Sequence, residues 1–188
     1  MLFLASTSPR RHALLHAAGI EFTPCRPGDE VGGEGSPREK ATARAESKAS
    51  QAEAPPGSCV LGVDTVVELD GEEFGKPRDR VDARRMIERL AGREHRVHTA
   101  HHLVRGDATW TAVATSTVRF DPLTPDAIEF WLDLGSWEGK AGGYGIQDAE
   151  TAFASLVDGD EDTVVGLSIA VLRELLRRAA EEGPCPPS

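Results

Sequence analysis

Apolar positions along the chain fall first into short continuous runs. Leu2-Phe3-Leu4-Ala5 has strand length and is followed by polar Ser6-Thr7-Ser8 and then Pro9-Arg10-Arg11-His12-Ala13-Leu14-Leu15. Proline suits a first helical turn and Gly19 is placed to end the helix, so the opening reads strand, loop, helix. Ile20 to Cys25 can form a second strand, and Arg26 to Gly35, rich in Gly, Pro and acids, predicts a loop. Ser36-Pro37-Arg38-Glu39 matches a capping box with Pro at the first helical position. The helix it opens extends to about Glu53 and carries Lys48 in its later turns. Pro55-Pro56-Gly57 breaks it, and Cys59-Val60-Leu61-Gly62-Val63 predicts a buried strand with Asp64 at its end.

Alternation and helical spacing govern the rest. Val66-Val67-Glu68-Leu69 leads into Asp70-Gly71, a strong hairpin-turn signal, and a small ribbon returns toward Gly75-Lys76-Pro77. Asp79 or Asp82 can cap a helix whose apolar stripe is Met86, Ile87 and Leu90, with Gly92 as terminator. His95 to Val104 and Thr109 to Phe120 predict long antiparallel strands around an Arg105-Gly106-Asp107 turn. Thr124-Pro125-Asp126 starts a helix with Ile128, Trp131 and Leu132 facing inward. Gly139 to Gln147 is too glycine-rich for regular structure and suits close approach of backbone to a ligand. Ala152 to Val157 and Val164-Val165 are expected as strand pieces around Asp158-Gly159-Asp160. Ser168 to Glu182 reads as an amphipathic helix with Ile169, Leu172, Leu175 and Leu176 in the core, before a frayed tail at 183–188. The order of elements predicts an α/β protein, an elongated mixed β-sheet flanked by helices, as one domain over residues 1–182.

Composition narrows the function classes. A chain of 188 residues suits one core, and 39% hydrophobic with 28% charged residues is ordinary for a globular protein. No window approaches the ~18 consecutive apolar residues of a membrane span, and the N-terminus turns polar at Ser6, which argues against secretion. Cys25, Cys59 and Cys185 are odd in number and far apart, so they read as reduced thiols of a cytoplasmic protein. A formal charge of −10 argues against nucleic acid as a partner. An anionic substrate would then require a local cluster of Lys and Arg, or a divalent metal, within an acidic protein.

Such clusters exist. Ser8-Pro9-Arg10-Arg11 combines free N–H groups and the dipole of a helix start with a hydroxyl and two guanidinium groups, a chemistry that cradles phosphate, although arginine near a helix start is more often a solvated surface residue. Asp64, after an apolar strand, stands where ligands gather in α/β enzymes. It can hold Mg²⁺ or take a proton from water, or simply cap a turn through Thr65. Lys76, stiffened between Gly75 and Pro77, can neutralise a phosphate chain or lie on the surface. His95 and His98 alternate to opposite faces of a strand, as do His101 and His102, which argues against a zinc site.

Taken in order, these pieces resemble the Maf family of nucleotide pyrophosphatases, within the wider superfamily of house-cleaning inosine triphosphate pyrophosphatases. The resemblance begins with Leu4-Ala5-Ser6-Thr7-Ser8-Pro9-Arg10-Arg11 and continues through Ala45-Glu46-Ser47-Lys48-Ala49, Gly62-Val63-Asp64-Thr65-Val66-Val67 and Gly75-Lys76-Pro77. It ends at Gly139 to Gln147 and Val164-Val165-Gly166-Leu167. It implies that Asp64 activates water for attack on the α-phosphorus of a nucleoside triphosphate, while contacting a divalent metal (Mg or Mn) shared with Glu30. It implies that Ser8, Arg11, Lys48 and Lys76 hold the triphosphate. Arg10, Thr65 and Gln147 occupy the positions associated with substrate choice, in the combination of the branch that hydrolyses dTTP and UTP. A Gln side chain offers a pyrimidine edge one donor and one acceptor. A homodimer is also implied.

Two positions depart from the family pattern. Ser168 replaces a Pro but can cap the last helix equally well. Asp148 replaces a Gly next to Gln147 and puts a carboxylate where it can alter base preference. The competing readings are a pyrophosphatase for modified nucleotides and a nucleotide-binding regulator of cell division, since the family has been linked to septum formation.

Overall fold

The computed structural model describes residues 1–29 and 31–181. Glu30, the expected tail at 183–188 and the expected domain end at 182 lie outside the described residues. The elements run β1 (Leu2–Ala5), α1 (Pro9–Ala17), β2 (Thr23–Cys25), α2 (Pro37–Ser50), β3 (Cys59–Leu69), β4 (Glu72–Phe74) and α3 (Arg80–Leu90). They continue as β5 (Glu94–Arg105), β6 (Ala108–Phe120), α4 (Pro125–Asp133), β7 (Ala154–Asp158), α5 (Glu161–Val165) and α6 (Ile169–Glu181).

Local signals explain most of these boundaries. Pro9 opens α1, and Gly19, at φ +67°, follows its end. The capping box at α2 is complete: Glu39 N–H donates to the Ser36 hydroxyl, and the Glu39 carboxylate accepts from Ser36 N–H at 2.8 Å. Asp79 caps α3 and Thr124 caps α4. Asp70 and Gly71 both adopt positive φ, +54° and +82°, as a two-residue turn matched to strand twist requires.

Three expectations are corrected. Asp64 does not end a strand, because β3 runs through it to Leu69. β5 pairs β3 from Cys59 to Glu68, and burial of Val66, Val67 and Leu69 sustains the extended backbone. Val164-Val165 is helical, not a strand. Asp160 precedes a short turn whose first residues, Glu161 and Asp162, favour a helix N-terminus, and Gly166 at φ +128° ends it. The second strand is shorter than Ile20 to Cys25, since Ile20 and Phe22 pack into the core as a connection and only Thr23–Cys25 pairs β1.

The strands form one mixed sheet in the order β2-β1-β3-β5-β6-β7, with β4 added to β3. β1 is parallel to β2 and β3, and the other pairings are antiparallel. One edge of β3 is shared by two partners. β1 covers Cys59–Gly62 and β4 covers Val67–Leu69, so among the described residues no strand pairs with residues 63–66 on that side. This leaves a notch in the sheet at Asp64 and Thr65.

Packing surrounds the notch. On one face, Leu4, Leu15, Leu61, Leu103, Leu172 and Leu175 form one apolar cluster, while Phe74, Ile87, Leu90, Phe120, Trp131 and Tyr144 belong to another. On the other face α2 lies against β3 through Ala41, Ala45 and Ala49. The approach is close enough that a Cβ at Gly62 would stand 2.1 Å from the Ala45 carbonyl oxygen, so only glycine fits.

Candidate active site

Ser8, Arg10, Arg11, Lys48, Asp64, Thr65, Lys76 and Gln147 all line one cleft over the notch. The cleft has a volume of about 240 Å³. Lys48, Asp64 and Thr65 form its inner part, with the first two buried, while Lys76 and Gln147 are exposed at its rim.

On the α2 side, Lys48 Nζ donates to Asp64 Oδ1 at 2.6 Å. Arg44 Nη1 approaches Asp64 Oδ2 to 3.7 Å and is ion-paired with Glu73, which Lys40 reaches at 3.7 Å. Asp64 is thus a buried carboxylate flanked by two cations from consecutive turns of one helix, and its Oδ2 accepts no hydrogen bond within the described residues. A carboxylate that lines a cleft and keeps one oxygen without a hydrogen bond is the kind of ligand a hard divalent cation takes. Among the described residues no group of three or more His, Cys, Asp or Glu is arranged to hold a metal ion.

On the opposite face of β3, Arg11 joins three segments. Its Nε donates to the Gly166 carbonyl at 2.8 Å, Nη1 to Ser6 Oγ at 3.1 Å and Nη2 to Thr65 Oγ1 at 3.2 Å. Thr65 Oγ1 lies 3.0 Å from Thr99 Oγ1, which donates to the Thr163 carbonyl at 2.7 Å. Ser6 Oγ also accepts from Ser8 N–H, while the Ser8 side chain makes no capping bond to α1. Ser8 and the first residues of α1 line the cleft.

The glycine-rich loop forms the third wall. Gly139, Gly142 and Gly143 have φ of +68°, +66° and +77°, and Ala141–Gly143 makes a single 3-10 turn. Gly142 N–H donates to the Gly75 carbonyl at 2.9 Å, which ties this loop to the Lys76 turn. Arg10 Nη2 donates to the Gly139 carbonyl at 3.3 Å. Burial lowers the Arg10 pKa, and the Asp148 carboxylate works against that shift. Asp148 itself is ion-paired with Lys140 and folds over Gly145, where a Cβ would meet its Oδ2 at 2.6 Å. It does not line the cleft.

Several contributors have no local sequence signal. Ser6 and Tyr144 lie inside segments already singled out, but Arg44, Val97 and Thr99 reach the site only through strand register and helix placement. The four histidines of β5 serve different ends. His95 Nε2 lies 2.7 Å from the Tyr144 hydroxyl, His98 pairs with Glu68 and Thr115, His101 Nε2 accepts from Ser168 N–H at 2.9 Å, and His102 Nδ1 lies 2.7 Å from Thr111 Oγ1. Val171 N–H donates to Ser168 Oγ at 3.4 Å, so Ser168 caps the last helix as its chemistry suggests. Among the described residues Cys25 and Cys59 are free thiols, and no helix is long and apolar enough to cross a membrane.

Comparison with known proteins agrees in length and kind. A family model described as Maf-like protein matches residues 1–179. The chain is 42% identical over 171 residues to a protein of Symbiobacterium thermophilum named dTTP/UTP pyrophosphatase, covering 89% of this chain and 88% of that one. It is 43% identical over 175 residues to one of Thermus thermophilus with the same name, covering 93% and 92%. A protein of Pyrococcus abyssi, again so named, is 37% identical over 186 residues, covering 98% and 99%.

Proposed function

The chain belongs to the Maf family, and from that premise we propose that it hydrolyses nucleoside triphosphates, dTTP and UTP foremost, to the monophosphate and pyrophosphate. The observation that carries this reading is the convergence of Lys48, Arg11, Lys76 and the start of α1 on a cleft whose floor is the buried Asp64. In a chain of charge −10 this is a concentrated cationic site for a polyphosphate.

In the proposed complex the triphosphate lies along the notch, with its oxygens at Ser8, the N–H groups of α1, Lys48 and Lys76. The cleft's volume is below the ~300–1,000 Å³ typical of a ligand pocket, so the nucleotide extends past the mouth toward Gln147. Arg11, spanning Gly166, Ser6 and Thr65, fixes the wall against which the phosphates rest and can share a donor with them. The Asp64 carboxylate orients the attacking water and accepts its proton as the bond from water oxygen to α-phosphorus forms and the bond to the bridging oxygen breaks. Negative charge builds on the departing pyrophosphate, which Lys48 and Lys76 neutralise. A divalent cation, Mg²⁺ or Mn²⁺, held by Asp64 and by Glu30 from the preceding loop, would supply further charge neutralisation on the phosphates.

Base choice rests on Gln147, Arg10 and Thr65. Asp148 is ion-paired with Lys140 and is absent from the cleft lining, which supports the pyrimidine reading of that trio, while its carboxylate acts electrostatically on Arg10. A homodimer belongs to the same reading, and sedimentation velocity of the purified chain checks it. The decisive experiment for the activity is pyrophosphate release from dTTP, UTP, CTP, dGTP and ATP with Mg²⁺ or Mn²⁺. Preferential release from dTTP and UTP is expected. Release from none of them overturns the enzymatic reading, and a purine preference overturns the base assignment.

A further inference from the structure

The loop that carries Gln147 has little of its own to hold it in shape. Its backbone passes through Gly139, Gly142 and Gly143 at positive φ, and it makes one 3-10 turn. Glycine backbone without regular hydrogen bonding samples many conformations, so the position of Gln147 depends on whatever side chains anchor the segment. Tyr144, set between Gly143 and Gly145, is one such anchor. It is 5% exposed, lines the cleft, and stacks edge-on against Phe120 with ring centroids 4.7 Å apart.

The far end of Tyr144 meets His95. The Tyr144 hydroxyl is 2.7 Å from His95 Nε2, and the two rings cross at 82°. His95 is 2% exposed, projects from β5 on the face that also presents Val97 to the cleft and Thr99 to Thr65, and does not itself line the cleft. Its Nδ1 is buried with no hydrogen-bond partner among the described residues. An unpartnered buried polar atom is unfavourable, because it gives up its hydrogen bonds to water and gains none in return. A core serving packing alone would be better filled at this position by an apolar side chain, so the bond to Tyr144 is what the imidazole contributes. Burial lowers the His95 pKa to about 4, which keeps the ring neutral and able to share one hydrogen with the phenol at physiological pH.

We propose that His95 is a positioning residue for base recognition: through its buried hydrogen bond to Tyr144 it fixes the loop 139–147, and with it Gln147, against the cleft. The inference rests on the reading that Gln147 meets the base. His95 touches no reacting atom. Its removal therefore acts on substrate affinity and discrimination, and leaves the chemistry at Asp64 in place. The other ties of the loop are Gly142 to Gly75, Arg10 to Gly139 and Lys140 to Asp148, together with a turn closed by Asp148 N–H on the Gly145 carbonyl at 3.0 Å and the packing of Ile146 on the core. The Tyr144 bond holds the stretch immediately before Gln147.

Two substitutions separate positioning from packing. His95→Leu fills the core but loses the bond, whereas His95→Gln places an amide near the position of Nε2 and restores it. With His95→Leu, KM for dTTP and UTP should rise about tenfold with kcat within about threefold, and the preference for UTP over CTP should fall. Hydrogen exchange of residues 139–147 in the nucleotide-free protein should quicken while β5 and β6 stay protected. His95→Gln should recover most of the KM, the preference and the protection. Equal losses in both variants, or a loop whose exchange is unchanged by His95→Leu, would overturn the proposal. Should His95→Leu not fold, Tyr144→Phe deletes a single oxygen and is read by the same loop exchange, with unchanged protection again the contrary result. A native chain that hydrolyses no nucleotide would sink the enzymatic reading alone, because the exchange comparison judges the bond without substrate.

Discussion

Asp64 concentrates the chemistry at the scale of a residue. Its carboxylate is buried, bonded on one oxygen to Lys48 and faced on the other by Arg44. Replacing Asp64 by Asn keeps the shape and removes the charge and the proton acceptor, so pyrophosphate release should fall by roughly 10²–10⁴-fold with circular dichroism unchanged. A loss smaller than tenfold would show that another group activates the water. Lys48→Met would leave the carboxylate with Arg44 as its nearest remaining cation. Breaking a buried pair from one side is strongly destabilising, and about 3 kcal/mol is expected in urea unfolding because Arg44 partly compensates. A change below about 1 kcal/mol would mean that the pair is solvated in solution. The acid itself was legible in the sequence, as a polar residue interrupting an apolar run, and so were Lys48 and Lys76 by their motifs. Arg44 was not, because nothing in Arg44-Ala45-Glu46 shows that one turn of helix brings it onto the same carboxylate as Lys48.

Elements explain why those side chains meet. α2 can approach β3 only because Gly62 lacks a side chain opposite the Ala45 carbonyl. Gly62→Ala should therefore displace the helix that carries Lys48 and Arg44, with an expected cost of about 1–3 kcal/mol and a raised KM. Unaltered stability would show that the helix yields without strain. By contrast, Ser36→Ala at the exposed cap should cost about 1 kcal/mol and leave KM alone, a difference readable by pairing urea melts with kinetics. Caps and turns were the readable part of the sequence, since Ser36-Pro37, Thr124-Pro125 and Asp70-Gly71 each act within a few residues. Strand extent was less readable. Asp64 looks like an end because local composition changes there, yet pairing with β5 and β4 carries the strand five residues farther, to Leu69. Val164-Val165 misled for the opposite reason, as two β-branched residues cannot outweigh an acidic helix start and a terminal glycine.

Across the whole molecule, the notch in β3 lies between two apolar clusters on one face of the sheet, with Thr65, Thr99 and Thr163 as a polar seam between them. Two neutral histidines brace that face: burial lowers His95 to about 4 and His101 to about 3. Their unfolded value is near 6.5, so the unfolded chain binds protons before the folded one does. The stability they permit is fully present above about pH 6.5 and is lost as pH falls toward 4, at roughly 2 kcal/mol per pH unit for the pair. Urea midpoints should fall accordingly from pH 6.5 to 4.5, with about half that slope in His95→Gln, and a flat profile would show that both rings are hydrated in solution. The α/β order of elements and the charged cleft were recoverable from pattern, while the placement of the cleft at a gap between β1 and β4 required the strand register. The most direct test of the chemistry at that gap is hydrolysis of dTTP in ¹⁸O-labelled water. Attack on the α-phosphorus beside Asp64 puts the label in the monophosphate and none in pyrophosphate. Label in pyrophosphate or in inorganic phosphate would mean that water attacks a different phosphorus, and Asp64 would lose the role given to it.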